Sequence, residues 1–364
     1  MTRSYLDHAS TSPPRPGVVD AMVEWLARAA DPGRVHTEGR MVRAAIEDAR
    51  EAVAALIGAR PREVVFTSGA TEAINAAAWA REGPIACAPV EHSAVRDASR
   101  RTCPVLPLTV DHTAQIEISS VIEVLDERPA IVQCQWGNQE VGTVQPVEAV
   151  VAACSGAGIA VHVDAAQAAG HVPLALGDLG ADLVSISAHK FGGPPGVGAL
   201  IIRRGLRIPP LLVGGDQERA RRAGMENVPA IVGFGVAAAH VELGREAAAA
   251  RALSDALLDA ALAVPGVVAY SPDHRLPHIV CVGVEGVEAE AVLLGLDQAG
   301  IAAHSGSACS SESLEPSPVL EAMGVDAQRS LRLSVGWNTT DADVAAFARA
   351  FPPVVARLRS LAGA

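Results

Sequence analysis

From about residue 62 to residue 203 the chain alternates short apolar runs with alanine-rich stretches of helical spacing. "REVVFTSGATEAINAAAWA" reads as strand, tight turn and helix. "IACAPV" and "RPAIVQCQ" are short strands, and "VEAVVAACSGAG" is a helix closed by Gly156 or Gly158. "IAVHVDAAQ", "DLVSISAHK" and "VGALIIRR" follow as strands. Strands alternating with helices need crossover connections, which predicts an α/β fold with a mostly parallel sheet covered on both faces. From about residue 236, "VAAAHVELGREAAAARALSDALLDAALA" predicts a long helix leaving this first domain. The remainder, "HIVCVGVEGVEAEAVLLGLDQAGIAAHSGSAC" and "SLRLSVGWNTTDADVAAFARAF", predicts a smaller mixed α/β domain. "SPPRP" near the start reads as a turn or short linker.

Composition narrows the class. With 364 residues, 49% hydrophobic and only 3% aromatic, the chain builds its core from Ala, Val and Leu and has length for two or three domains. A net charge of −12 argues against non-specific nucleic-acid binding. No apolar run is long enough to span a bilayer, and "MTRSYLDHASTSPPRP" has no apolar signal region, so the expected location is the cytoplasm, with no membrane partner. The six cysteines (Cys87, Cys103, Cys134, Cys154, Cys281 and Cys309) show neither CxxC nor zinc-ligand spacing, so neither a metal site nor a disulfide framework is expected. Most read as small core hydrophobes. Cys309 does not, because "SGSACSSESLEPS" surrounds it with small polar residues, and a reactive thiol needs both access and a supply of thiolate.

In open parallel sheets, ligands gather beyond the carboxyl ends of the strands. That rule singles out Ser68 to Thr71, Asp164 and His189–Lys190. Lys190 stands at a strand end before "FGGPPGVG", in a chain where Arg dominates the basic residues and Lys is nearly absent. Such an amine can form a Schiff base once desolvation or cationic neighbours lower its pKa; the alternative is a solvated lysine opening a loop. Asp164 ends "IAVHV", where it could hold the protonated ring nitrogen of pyridoxal phosphate or simply cap a helix beginning "AAQAAG". "TSGATE" fits a phosphate site at a helix N-terminus and equally an ordinary capping box. His92 could stack on a cofactor ring, move protons or be structural. Arg332, at an alternating position of "RSLRLSVG", could receive a carboxylate bidentately or lie on the surface.

Eight stretches in order, "YLDHASTSPP", "FTSGATEA", "EHSAV", "NQEVGTVQP", "HVDAAQAAG", "SAHKFGGPPGVGAL", "QERARRAGMENV" and "SGSACSSESLEPSPVL", resemble the pyridoxal-phosphate-dependent cysteine desulfurases whose cysteine lies in an SGSAC motif. The resemblance spans almost the whole chain. It implies the fold of type I pyridoxal-phosphate transferases, a large cofactor domain over 13–245, a smaller domain from 1–12 and 246–364 carrying the Cys309 loop, and a homodimer. By matched motif, Lys190 would carry the cofactor, Asp164 hold its ring nitrogen, Gln167 bond its phenolic oxygen and His92 stack on the ring. Gly69, Ala70, Thr71, Ser187 and His189 would bind phosphate. Arg332, with Gln139 and Asn138, would take the carboxylate of L-cysteine, and Cys309 would attack its sulfur, release alanine and pass a persulfide to a protein acceptor. "LEPSPVLEAMG" would restart a helix behind that loop and anchor its far end.

Three positions depart from the family. Met225 stands where a threonine usually reaches the neighbouring subunit's phosphate; a thioether cannot donate, a loss of about 1.5–3 kcal/mol unless Arg222 or a water compensates. Gln139 stands for an asparagine, and Pro195 for a frequent lysine. The rival readings are another enzyme on this scaffold (an aminotransferase, a kynureninase-like lyase or a selenocysteine lyase) and a degenerate, non-catalytic partner in sulfur transfer. An aminotransferase has no use for Cys309.

Overall fold

The computed structural model describes residues 3–28, 31–80, 82–102, 104–305 and 316–362. Among the described residues the strands are β1 (Ser4–Tyr5), β2 (Val64–Thr67), β3 (Ile85–Cys87), β4 (Val105–Pro107), β5 (Ile131–Gln135), β6 (Ala160–Asp164), β7 (Leu183–Ser187), β8 (Gly198–Ile202), β9 (Val267–Ala269), β10 (Ile279–Val284), β11 (Ile301–Ala302) and β12 (Ser330–Ser334). Seven form one sheet in the order β2-β8-β7-β6-β5-β3-β4. All its pairings are parallel except those of β8, which runs against both β2 and β7. Two reversals restore direction, so β2 delivers its carboxyl end to the same edge as β3, β5, β6 and β7.

Side chains alternate across this sheet as the strand period requires. Ala199 and Ile201 of β8 face a core shared with helices Thr37–Leu56, Val147–Ala157 and Val228–Ala239. Leu200 and Ile202 face the other way, onto Ile74, Ala77 and Val95 of helices Ala70–Trp79 and Ser93–Thr102. Each fully buried Val, Leu or Ile contributes about 1.5–3 kcal/mol, so a core poor in aromatics holds the sheet by number. The outer edge of β2 is closed by side chains: buried Arg50 donates to Val64 O (2.9 Å), and Glu218 accepts from Phe66 N (2.9 Å) while pairing twice with Arg50. Glu218, Arg219 and Ala220 all have positive φ (47°, 59° and 60°), local strain that the buried Arg50–Glu218 pair helps offset.

A second sheet, β12-β10-β9, is antiparallel and packs with helices Leu243–Leu262, Ala289–Gln298 and Asp341–Ala362 around Leu257, Val282, Leu333, Phe347 and Phe351. The chain's start joins this unit. β1 pairs with β11, and Asp7 bridges to Ser334.

Three expectations need correction. The long helix from residue 236 is two helices, Val228–Ala239 and Leu243–Leu262. Glu242 between them is non-helical (φ −94°, ψ 71°), and buried Arg15 takes His240 O and the Glu246 carboxylate, fixing the break. "SPPRP" is therefore no free linker: Arg15 also donates to Phe191 O at 2.7 Å and docks the start of the chain on both units. Nor does a helix follow Asp164; residues 166–171 are turns. Of the Gly156 and Gly158 alternatives, Gly158 closes its helix, at φ 70°.

Candidate functional site

The carboxyl ends of β2, β5, β6 and β7 open onto a cavity of about 380 Å³. Lining it are Gly69, Ala70, Thr71, His92, Gln139, Asp164, Gln167, Ser187, His189 and Lys190. Ten of the residues expected from sequence thus share one hollow, although they come from five separate stretches of chain. A further cavity of about 310 Å³, beside Arg15, Glu246 and Trp337, lies behind this wall and holds none of them.

Lys190 is the only lysine in the sequence. It ends a short 3-10 turn directly after β7, and its Nζ donates to Ala9 O (2.8 Å) and Ser10 O (3.0 Å) of the N-terminal segment. Asp164, the last residue of the neighbouring β6, is buried. Its Oδ1 accepts from Ala166 N (3.0 Å) and Ser185 Oγ (3.3 Å), leaving Oδ2 for a donor within the cavity. Burial raises the Asp164 carboxyl above the usual range, with His92 opposing. Burial in turn lowers His92 below the ordinary imidazole range, with Asp164 opposing. His92 Nδ1 accepts from Ala94 N (3.1 Å), so the neutral ring carries its proton on Nε2. Gln167 donates from Nε2 to Ala9 O at 2.8 Å.

At the other end of the cavity, Gly69 precedes helix Ala70–Trp79 with φ 154° and ψ 178°, a conformation open essentially to glycine alone. A Cβ there would meet nothing within 4 Å, so the backbone faces open space at a helix N-terminus. Gly198 of β8 is required for a different reason: a Cβ there would come within 2.8 Å of Gly69 itself. No capping box forms at the N-cap, Gly69; Glu72 Oε2 accepts instead from Ser68 N at 2.8 Å, one residue earlier. The same carboxylate binds Arg222 through Nε (3.0 Å) and Nη2 (3.3 Å), which leaves the Nη1 hydrogens outside this pair. Met225 is 64% exposed. His189 is lowered to about 4 by burial and by Lys190, so at neutral pH it offers no positive charge.

A second wall is backed by the smaller unit: Arg332 does not itself line the cavity but is bonded to Gln139, which does. Arg332 on β12 is 2% exposed; Nη1 donates to Gln139 O (2.9 Å) and Nη2 to Asp7 Oδ1 and Ser10 Oγ (both 2.8 Å). Its Nε is buried and has no hydrogen-bond partner among the described residues. The Gln139 amide lies 3.3 Å from Glu140 Oε1, its extra methylene over asparagine spent on that neighbour. Asn138 does not line the cavity: its Oδ1 accepts from Glu140 N and Val141 N, and its Nδ2 donates to Val90 O. Cys309 lies outside the described residues, as does Cys103. Both flanks of that stretch are described. His304 pairs through its backbone with Arg332, and Ser317 bonds Glu140 while capping helix Pro318–Ala322, the helix expected behind the loop. Cys87, Cys134, Cys154 and Cys281 are buried, and burial pushes every thiol up, Cys154 to about 11.

Sequence reasoning passed over Asp7, Ser10, Glu140 and Glu91. Glu91 is fully buried, accepts from Gln135 N at 2.7 Å, and is raised to about 8 by burial and by Asp164. Its adjacency to His92 was the one available signal. Among the described residues, no group of acidic, histidine and cysteine side chains could hold a metal ion, and no helix is long and apolar enough to cross a membrane.

A sheet of this order, with its only lysine beside a buried aspartate at adjacent strand ends, matches known proteins. The aminotransferase class-V pattern covers residues 4–347, and the chain belongs to that family. A cysteine desulfurase of Gluconacetobacter diazotrophicus is 39% identical over 99% of this chain and 95% of its own. A solved NifS-like protein superposes with a TM-score of 0.91 at 31% identity, covering 98% of this chain and all of that one. SspA, solved in complex with cysteine, gives 0.81 at 30% identity over 91% of this chain and 98% of its own. The fold is that of type I pyridoxal-phosphate enzymes, and pyridoxal 5′-phosphate is the family's cofactor. The residues fit it. A desolvated carboxyl awaits a cationic ring nitrogen, the open backbone at Gly69 suits a phosphate, and one lysine stands between them.

Proposed function

We propose that this cavity removes sulfur from L-cysteine, with Lys190, Asp164 and Arg332 as its working groups and Cys309 as the sulfur carrier. The chain is a pyridoxal-phosphate-dependent cysteine desulfurase. The observation that carries the site assignment is the juxtaposition, in one cavity, of the sole lysine and buried Asp164 with Gln139, whose backbone carbonyl Arg332 holds.

In this reading Asp164 Oδ2 holds the ring nitrogen protonated and Gln167 Nε2 donates to the phenolic oxygen. His92 covers the ring, while the N–H groups from Gly69 to Thr71, with Ser187 and His189, receive the phosphate. Arg332 and Gln139 orient the substrate carboxylate; Asn138 acts one step back, closing the turn that presents Gln139. The cofactor, when bound, supplies an electron sink that makes the substrate sulfur electrophilic. Lys190 Nζ would take the Cα proton of the substrate and return it before alanine leaves. The Cys309 thiolate attacks the substrate sulfur, so that an S–S bond forms as the Cβ–S bond breaks. The electron pair of the broken bond stays with carbon, which takes a proton, and alanine leaves while Cys309 keeps the extra sulfur.

The core that joins Leu6 to residues 250–355 supports a smaller domain from 1–12 and 246–364 beside a large one over 13–245, although Cys281, Val319, Leu320 and Ala327 pack into the large core. Exposed Val19, Val23 and Leu26, spaced along one side of helix Val18–Leu26, support a homodimer through that face. A cytoplasmic location and a protein sulfur acceptor complete the proposal. Borohydride reduction of the holoenzyme should fix the cofactor on the peptide containing Lys190. After incubation with L-cysteine, mass spectrometry should find one added sulfur atom on Cys309. Sulfur on another cysteine, or on none while alanine forms, would reject the assignment.

A further inference from the structure

Behind Gln167 lies a column of imidazoles that the chemistry above does not use. His278, fully buried, points Nε2 at Gln167 Oε1 (3.3 Å) and stacks on His171, with ring centroids 3.6 Å apart and planes at 13°. His171 Nε2 faces Lys190 O at 3.1 Å, an acceptor, and so carries the proton. His8 packs nearby, held by Ser12 Oγ and Thr339 Oγ1, and a Cβ at Gly336 would collide with its ring. Burial keeps all three rings neutral at ordinary pH; for His278 the charges that face it (His171, His8, Lys190 and Arg332) act in the same direction.

A neutral imidazole has one N–H. Gln167 Oε1 can only accept, so the His278 proton sits on Nε2 and bare Nδ1 is left without a partner, as observed. An unpaired acceptor is the cheaper of the two to bury. On the other side of the amide, Ala9 O can only accept and fixes Nε2 there. Nε2 has a second N–H, and Gln167 lines the cavity. The amide is therefore gripped at both ends in the one orientation that leaves a donor to spare.

We propose that His278 is a positioning residue, which holds the Gln167 amide so that it presents N–H rather than C=O to the phenolic oxygen of the cofactor. This rests on the reading that Gln167 meets that oxygen. A donor there stabilises the phenolate and makes it easier to remove the proton that the oxygen shares with the Lys190 nitrogen. Without His278, Oε1 loses its buried donor and the amide is free to turn.

The test is the pH midpoint at which the visible absorption band of the holoenzyme changes, a readout independent of turnover. His278→Phe keeps a ring against His171 but has no N–H, and His278→Leu removes both. Each should raise the midpoint by about one pH unit, the scale of one hydrogen bond to a charged group. His278→Gln, whose amide N–H reaches as far as Nε2, should restore the wild-type value. Gln167→Leu should raise it equally, and His278→Phe added to Gln167→Leu should raise it no further. If Gln167→Leu shifts the midpoint while His278→Phe and His278→Leu leave it unchanged, Ala9 O alone orients the amide and the inference is wrong. If Gln167→Leu itself has no effect, the placement of Gln167 against the cofactor fails first.

Discussion

The two walls of the cavity are built by opposite strategies. The cofactor wall is a row of neighbouring strand ends. Asp164 closes β6, and Ser187 closes β7, its parallel neighbour, with His189 and Lys190 directly after it, so hydrogen-bonded register sets their separation. The substrate wall is a meeting of chain ends: Arg332 binds Asp7, 325 positions away in sequence, and Ser10, 322 positions away. The N-terminal segment 7–12 reaches across to both walls. It gives Ala9 O to Lys190 and Gln167, Ser10 O to Lys190, and Thr11 Oγ1 to His189. A sheet edge positions the groups proposed to hold the cofactor, and a strap laid over that edge positions those proposed to hold the substrate. Changes on the first wall should fall on the chemical step, and changes on the second on substrate affinity.

Substitutions can break that division, and the largest effect is expected on the sheet edge. Lys190→Ala would remove the proposed proton carrier and the proposed covalent anchor together. The rate of alanine formation should fall about 10³- to 10⁴-fold, with loss of the fixed cofactor band. On the opposite wall, Arg332→Gln should raise KM for L-cysteine about 10- to 100-fold, the worth of charge-assisted bonds to one carboxylate, with a smaller change in kcat. A kcat loss as large as the KM rise would show that the walls are not separable.

A third test reaches beneath the cofactor wall. Glu91 is protonated in the fold up to about pH 8, whereas an unfolded glutamate loses its proton near pH 4.3. Between these values the folded state binds the extra proton, so this residue's contribution to stability is complete below the window and shrinks as pH rises through it. Glu91→Gln should therefore gain stability relative to wild type in urea unfolding at pH 8 compared with pH 5. A constant difference would mean Glu91 is ionised. The smallest effect is expected at Ser317→Ala. It removes a helix cap and the bond to Glu140 at the root of the 306–315 stretch, and should cost about 1–2 kcal/mol in thermal unfolding while leaving cofactor binding intact.

The same contrast explains what could be read from the sequence. Period-two apolar runs ending in a polar residue marked β5, β6, β7 and β8, and the rule of carboxyl ends then found Asp164, Lys190 and Ser68–Thr71. The second wall has no such local signature. Asp7 and Ser10 lie in a stretch with no apolar rhythm, and their partner is brought to them only by the pairing of β1 with β11 and β12 with β10. Arg332 was visible as an alternating strand position; its role was visible only through resemblance. The broken helix at His240–Glu242 was missed for the same reason, because the residue that breaks it is Arg15, distant in sequence. Glu91 and His278 read as unremarkable, since burial and a distant partner, not neighbours along the chain, define what they do.

The most direct test of the central claim is alanine released from L-cysteine, with a thiol reductant present, by the holoenzyme and by Cys309→Ser. The wild-type protein should form alanine and the serine variant should not, while both keep the same cofactor band. Equal alanine from the two would contradict the account, since sulfur would then leave the substrate without Cys309.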